Sequence, residues 1–277
     1  RDQPRSRGLG DVYKRQSMKS QRLDKFLSSQ TVYTRTDISK LLWKRKVSVN
    51  GKTAREGGLK INPAADRIEV SGREIKYREN MYIVLNKPSG YVCATEDKND
   101  PTVIRLIPEE LRRKDLFPAG RLDKDSEGMV LITDDGTLGH KILSPKNHIA
   151  KYYVVKLAER FGENYERLFR EGITLGNGES CLPAAVRCCP DSENIAFIEL
   201  FEGKYHQVKR MFAAVENHVE KLVRIQMGGL EMHAGIGIGE CMEILHNDVE
   251  KLLKPTRFDE VFSSFSEKFS SYWINKL

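Results

Sequence analysis

Gly120-Arg121-Leu122-Asp123-Lys124-Asp125-Ser126-Glu127-Gly128 runs into Met129-Val130-Leu131-Ile132-Thr133 and is closed by Asp134-Asp135-Gly136. A polar loop bracketed by glycines delivers the chain into a short apolar strand, and an Asp-Gly turn ends that strand. A carboxylate just ahead of a buried strand stands on a rigid platform with its head in a cleft. That is a suitable place for a catalytic acid, base or nucleophile. Taken alone, Asp123 is also a good turn-capping residue, because loop aspartates bond readily to their own backbone.

The chain has 277 residues, room for an ordinary domain and a smaller module. Hydrophobic residues at 39% and charged residues at 31% describe a globular chain with a real core, and no apolar run reaches the length of a membrane span. Five cysteines (Cys93, Cys181, Cys188, Cys189, Cys241) include no Cys-x-x-Cys spacing. They fit a reducing cytoplasm and give no zinc site or disulfide framework. The formal charge of +7 is uneven. Residues 18–80 carry 15 Lys/Arg against 7 Asp/Glu, whereas residues 81–277 carry 26 against 30. The basic character sits in the front module, the electrostatic footprint of a nucleic-acid grip.

Residues 1–17 have no periodicity and no apolar segment, and are expected to be a disordered or extraneous leader ahead of Met18. From there, Leu23, Phe26 and Leu27 fall at helical spacing, with Arg22, Asp24 and Lys25 outside. Thr36 is a candidate cap for a second helix carrying Ile38, Leu41 and Leu42, ringed by Arg35, Lys40, Lys44, Arg45 and Lys46. Val47-Ser48-Val49 reads as a strand, Asn50-Gly51 as a tight hairpin turn, and Ile68-Glu69-Val70 with Ser71-Gly72 as a second strand and turn.

After the junction Arg78-Glu79-Asn80, Met81–Leu85 reads as a buried strand ending at the breaker-rich Asn86-Lys87-Pro88-Ser89-Gly90. There Pro88 and Gly90 are expected to shape a loop, with Lys87 merely nearby. Leu138–Leu143 is a predicted helix and Lys151–Leu157 a strand that sends Tyr152 and Tyr153 to opposite faces. Glu166–Glu171 closes a helix at Gly172, and Cys188 and Cys189 are packing residues. Val208, Met211, Phe212 and Val215 put one apolar face on a helix that leaves Lys209 and Arg210 off the stripe. Leu222–Gly228 alternates as a strand, and residues from Pro255 onward form an amphipathic helix expected to pack on the second domain.

Several of these strings, in this order, resemble the RsuA/RluA-type pseudouridine synthases: Asn-Lys-Pro-x-Gly, Gly-Arg-Leu-Asp-x-Asp-Ser-x-Gly, Lys-x-Tyr, Gly-x-x-His-Gln-x-basic-basic-Met and Leu-x-Arg…Gly. The front module, with Arg-Leu-Asp-Lys-Phe-Leu, resembles the S4 RNA-binding domain. The pairing of an S4 module with His-Gln-Val-Lys-Arg-Met looks like the RsuA branch. Gly229 departs from the pattern, since proline is expected there in many relatives.

The resemblance implies an α+β fold: a small S4 domain (18–78), a catalytic domain with a mixed, mainly antiparallel sheet (79–250) and a C-terminal helical extension (251–277). It implies a cofactor-free isomerisation of a uridine in 16S rRNA, or alternatively in 23S rRNA, by a cytoplasmic monomer. It makes Asp123 the essential carboxylate, Lys209 its partner, Tyr153 the stacking residue and Arg121 an aid to base extrusion. It also makes Arg22, Lys25, Arg35, Lys40 and Arg45 RNA contacts. Two readings of other classes stand beside it. A non-catalytic S4 assembly factor would have no need of Asp123, Tyr153 and Lys209 together. A hydrolase using Asp123 and Asp125 would need a geometry that two loop carboxylates do not guarantee.

Overall fold

The computed structural model describes residues 20–190 and 192–268. The expected leader and the tail residues Phe269, Tyr272 and Trp273 lie outside them. The described residues form two compact units: one up to Asn80 together with Glu109–Asp115, the other Met81–Pro108 with the chain from Leu116 onward.

In the first unit, β1 (Gln21–Arg22) leads into α1 (Leu23–Gln30), followed by α2 (Arg35–Trp43), β2 (Val47–Val49), β3 (Lys52–Thr53), β4 (Lys60–Ile61), β5 (Ile68–Val70) and β6 (Arg73–Glu74). Leu23, Phe26 and Leu27 of α1 meet Ile38 and Leu42 of α2 and Val47, Ile61, Ile68 and Val70 in one core. The cap of α2 is Thr34, not Thr36. Thr34 accepts from the Asp37 amide while the Asp37 carboxylate accepts from the Thr34 amide, a reciprocal capping box that Thr36 has no partner to form. Asn50 and Gly51 both take positive φ, 51° and 76°, so the turn joining β2 to β3 has the hairpin twist that Asn-Gly favours. Ser71 and Gly72 do the same between β5 and β6.

The second unit is built on one nine-stranded sheet. Its elements are β7 (Tyr82–Lys87), β8 (Phe117–Ala119), β9 (Glu127–Thr133), α3 (Gly136–Leu143), β10 (Lys151–Leu157), α4 (Tyr165–Glu171), β11 (Ala185–Cys188), β12 (Ile195–Leu200), α5 (Gln207–Ala213), β13 (Val219–Met227), β14 (Leu230–Glu231), β15 (Cys241–Glu243), α6 (His246–Val249) and α7 (Phe258–Lys268). The main strand order is β11-β12-β10-β13-β9-β7-β15, with β8 paired to β9 and β14 to β13. The expected mixed, mainly antiparallel sheet is what forms: β9 and β13 alone run parallel among the described pairs, with Val223 opposite Glu127 and Arg224 opposite Gly128.

Alternation along β10 turns Tyr152 into the core, while Tyr153 faces a cleft on the other side. Strand β7 runs two residues past the expected end and carries Asn86 and Lys87 into the buried sheet. The helix α7 lays Phe258, Val261, Phe262 and Phe265 against the core, with the Phe265 ring 4.8 Å from that of Phe197. The Arg187 guanidinium lies 5.3 and 5.0 Å from the ring centres of Phe258 and Phe262, within cation–π range. At Gly229, the departure from proline has a structural use, because its amide donates to Lys251 O at 2.8 Å and proline has no such donor.

Candidate active site

A cleft of about 650 Å³ opens in the second unit, within the size range of small-ligand sites. Asp123, Arg121, Tyr153 and His206 line it. Asp123 stands in the loop between β8 and β9, its carboxylate about a quarter exposed. The loop has few backbone bonds of its own, the turn bond from Ser126 N to Asp123 O among them, so its carbonyls need partners from elsewhere.

Two buried cations supply them from opposite sides. Lys87, wholly buried at the end of β7, donates its ammonium to Pro88 O, Lys124 O and Ser126 O at 3.1, 3.0 and 2.6 Å. Three carbonyls match the three N–H donors of an ammonium. Burial pushes the Lys87 pKa down, and the field of Cys93, Asp125, Glu127 and Asp123 opposes that shift. Arg224, 1% exposed on β13, donates from Nε to Met129 O at 2.8 Å, from Nη1 to Arg121 O at 3.2 Å and from Nη2 to Gly120 O at 3.4 Å. The carbonyls flanking Asp123 are thus pinned on both sides. Lys87 is therefore a positioning residue and not a bystander of the Pro88–Gly90 turn. Arg224 has the same role, which the sequence reading does not assign to it although it stands in the Leu-x-Arg…Gly string.

The predicted ion pair is more crowded than expected. Lys209 Nζ lies 3.6 Å from Asp123 Oδ2, but its hydrogen bonds go to Asp125 Oδ1 and Oδ2 at 2.5 and 2.7 Å. One ammonium bridges two carboxylates. Burial works to raise the Asp125 carboxyl, but the Lys209 hydrogen bond and charge outweigh it and hold it below the usual carboxylate range. His206 adds a second cationic neighbour when protonated, its Nε2 at 3.7 Å from Asp123 Oδ1. Both groups lie within 4 Å of the Asp123 carboxylate, one at each oxygen. No group of three His, Cys, Asp or Glu with metal-site geometry occurs among the described residues.

The family description RNA pseudouridylate synthase matches residues 81–214, the span that carries Asp123, Tyr153 and Lys209. The ribosomal small subunit pseudouridine synthase A of Vibrio vulnificus is 39% identical over 234 residues, covering 84% of this chain and all of that protein. This chain belongs to the RNA pseudouridylate synthase family. An uncharacterized RNA pseudouridine synthase of Bacillus subtilis is 35% identical over 84% of this chain and 99% of its own length. A crystal structure of a pseudouridylate synthase, 36% identical, superposes with a TM-score of 0.59 over 83% of this chain and 99% of that one.

Lys151 is a further titratable group of this pseudouridine synthase cleft, unremarked in the sequence beyond its place in Lys-x-Tyr. Burial and the Arg224 guanidinium push its pKa down to about 8, and its ammonium donates to Ile149 O at 3.2 Å. Between pH 8 and 10.5 the unfolded chain binds more protons at this position than the folded one, so stability rises with pH across that window. Below pH 8 the cost of burying the charge is fully present. Lys151→Met therefore raises the thermal midpoint at pH 7, and its advantage over the wild type shrinks from pH 8 to 10.5. Melting curves across that range check this; an advantage independent of pH contradicts it.

The five basic candidates of the front unit, Arg22, Lys25, Arg35, Lys40 and Arg45, are all exposed. Arg22 is already engaged by Asp24 at 2.6 Å.

Proposed function

We propose that this enzyme isomerises a uridine of small-subunit (16S) rRNA, free or in an assembly intermediate, with Asp123 as the essential carboxylate. The observation that carries this reading is the carboxylate itself. It is pinned by Lys87 and Arg224 through its flanking carbonyls and faces a nucleotide-sized cleft, in a chain that matches a relative named for the small subunit over 84% of its own length.

In the reaction the C1′–N1 bond breaks, the uracil turns, and C1′ joins C5. The C5 proton leaves and N1 gains one, so no atom is gained or lost. The uridine must leave its stack to reach the cleft. Tyr153, on the cleft face of β10, supplies a flat ring for the flipped base. Arg121, exposed beside Asp123, occupies the space the base vacates. Asp123 acts either as nucleophile or as the base that takes a ribose proton. Both courses need it ionised, and Lys209 and His206 are the basic groups that stand beside it. We place the enzyme in the cytoplasm as a monomer working on RNA. No described helix is long and apolar enough to cross a membrane.

Chemical mapping of pseudouridine in rRNA from cells lacking the gene tests the reading directly. One uridine of 16S rRNA should lose its modification and regain it on complementation. Loss of a 23S site instead identifies the large subunit as the target, and an unchanged map refutes the rRNA assignment.

The front unit is proposed as the S4-type grip. Replacing Arg35, Lys40 and Arg45 together with Gln should weaken RNA binding. It should also reduce the slope of log affinity against log salt by roughly 2–3, from about 0.7–0.9 per lost phosphate contact. An unchanged slope would mean that these side chains are only a solvated face.

A further inference from the structure

At the mouth of the cleft, Tyr205 is 76% exposed, an unusual setting for an aromatic ring this close to a catalytic carboxylate. Its ring is stacked on His206, with centroids 3.9 Å apart and planes within 16°. His206 in turn reaches Asp123 at 3.7 Å. The pair is held on a strained turn. His206 has φ 48°, a left-handed conformation costly for a side chain without a compensating role.

The turn is braced from below. Buried Gln207 accepts from the Lys204 amide at 2.9 Å and donates to Glu202 at 2.7 Å, while Arg210 donates to Tyr205 O at 3.2 Å. The inner face of the Tyr205 ring is therefore occupied by His206, its position is fixed, and its outer face is bare. A preorganised flat ring with one open face is the element that single-stranded nucleic acid uses for stacking.

We infer that Tyr205 is the platform for the base of a nucleotide adjoining the target uridine, a second base subsite distinct from the one at Tyr153. The inference rests on the RNA-modifying reading above. His206 serves as the back wall that keeps the ring upright, so the strain at residue 206 is used in substrate positioning. With one base in the cleft and its neighbour on Tyr205, the strand is held on both sides of the reacting sugar, and its entry direction is set.

The test uses the full-length enzyme and a small-subunit rRNA fragment that the wild type modifies. Single-turnover rates are measured against RNA concentration for wild type, Tyr205→Phe and Tyr205→Ala. The Ala variant should raise the half-saturating concentration roughly 5- to 150-fold, the range expected for one base–aromatic stack, and the Phe variant should stay near wild type. Stacking releases no counterions, so the salt slope of the Ala variant should match that of wild type.

An abasic site at the flanking position should weaken binding by wild type to the level of the Ala variant, with no further loss when both changes are combined. An Ala variant that binds as wild type does, a Phe variant as weak as Ala, or fully additive abasic and Ala losses would overturn the inference. A wild type inactive on every rRNA fragment would instead overturn the proposed function, so the two failures are distinguishable.

Discussion

Asp123→Asn should bind RNA at least as well as the wild type and lose turnover by a factor on the order of 10⁴ or more, the scale on which essential proton-transfer and nucleophilic groups act. The substitution keeps shape and volume and removes only the charge. The loop stays pinned, because Lys87 and Arg224 hold backbone carbonyls and never touch the Asp123 side chain. Lys209 keeps its two hydrogen bonds to Asp125, so the helix start is not released. What changes is the field, which becomes more positive between His206 and Lys209 and so favours the phosphate backbone. Asp125→Asn is the matched control. It should cost far less, because Asp125 is exposed and serves Lys209 rather than the cleft. Equal losses in the two variants would favour a shared-carboxylate mechanism, and an active Asp123→Asn enzyme would refute the assignment altogether.

Gly128→Ala should destabilise the second unit by about 3–5 kcal/mol, in the upper tail of single substitutions. Two effects combine. Gly128 has φ 101°, a region that L side chains rarely adopt. An added Cβ would also sit 2.2 Å from Arg224 O and 2.8 Å from Arg224 N, both backbone atoms with no freedom to swing away. Relief requires strand β9 to part from β13, which withdraws the Arg224 guanidinium from Gly120, Arg121 and Met129. Stability and turnover should therefore fall together, whereas Asp123→Asn loses turnover alone. Denaturant unfolding and single-turnover rates separate the two patterns. An Ala variant with unchanged stability would show that the strands tolerate wider spacing there.

Much of the site could be read before any coordinates, and what escaped has a common cause. The Asp123 loop announces itself because its glycines, carboxylate and following apolar strand are contiguous. The core of α1 does so because Leu23, Phe26 and Leu27 repeat at the helical period. The cap of α2 lies two residues ahead of the expected Thr36, because a threonine in isolation caps as well at 36 as at 34. The decision lies with Asp37, three residues after Thr34.

Lys87 reads as a solvent-loop lysine because a charged residue after an apolar run usually is one. Its burial depends on carbonyls at 124 and 126, which no local pattern reveals. The sequence does not mark Asp125 as the hydrogen-bond partner of Lys209 for the same reason. In a loop, two residues of separation fix no direction, and only the fold decides which carboxylate meets the ammonium. The association of Glu109–Asp115 with the first unit is likewise a long-range fact.

The parallel pairing of Gly128 with Arg224 also governs when the site comes into existence during synthesis. The two residues differ by 96 in number, so their contact closes a long loop, and long-range pairings carry the entropic cost of that closure. A chain emerging from its N-terminus presents Asp123, then Tyr153, then Lys209, each before the strand that fixes the Asp123 loop is available. Until Val219–Met227 has been made, Gly120, Arg121 and Met129 lack the guanidinium that pins them. A nascent chain that ends between residues 210 and 223 holds every group proposed for the chemistry and still has no organised Asp123 loop.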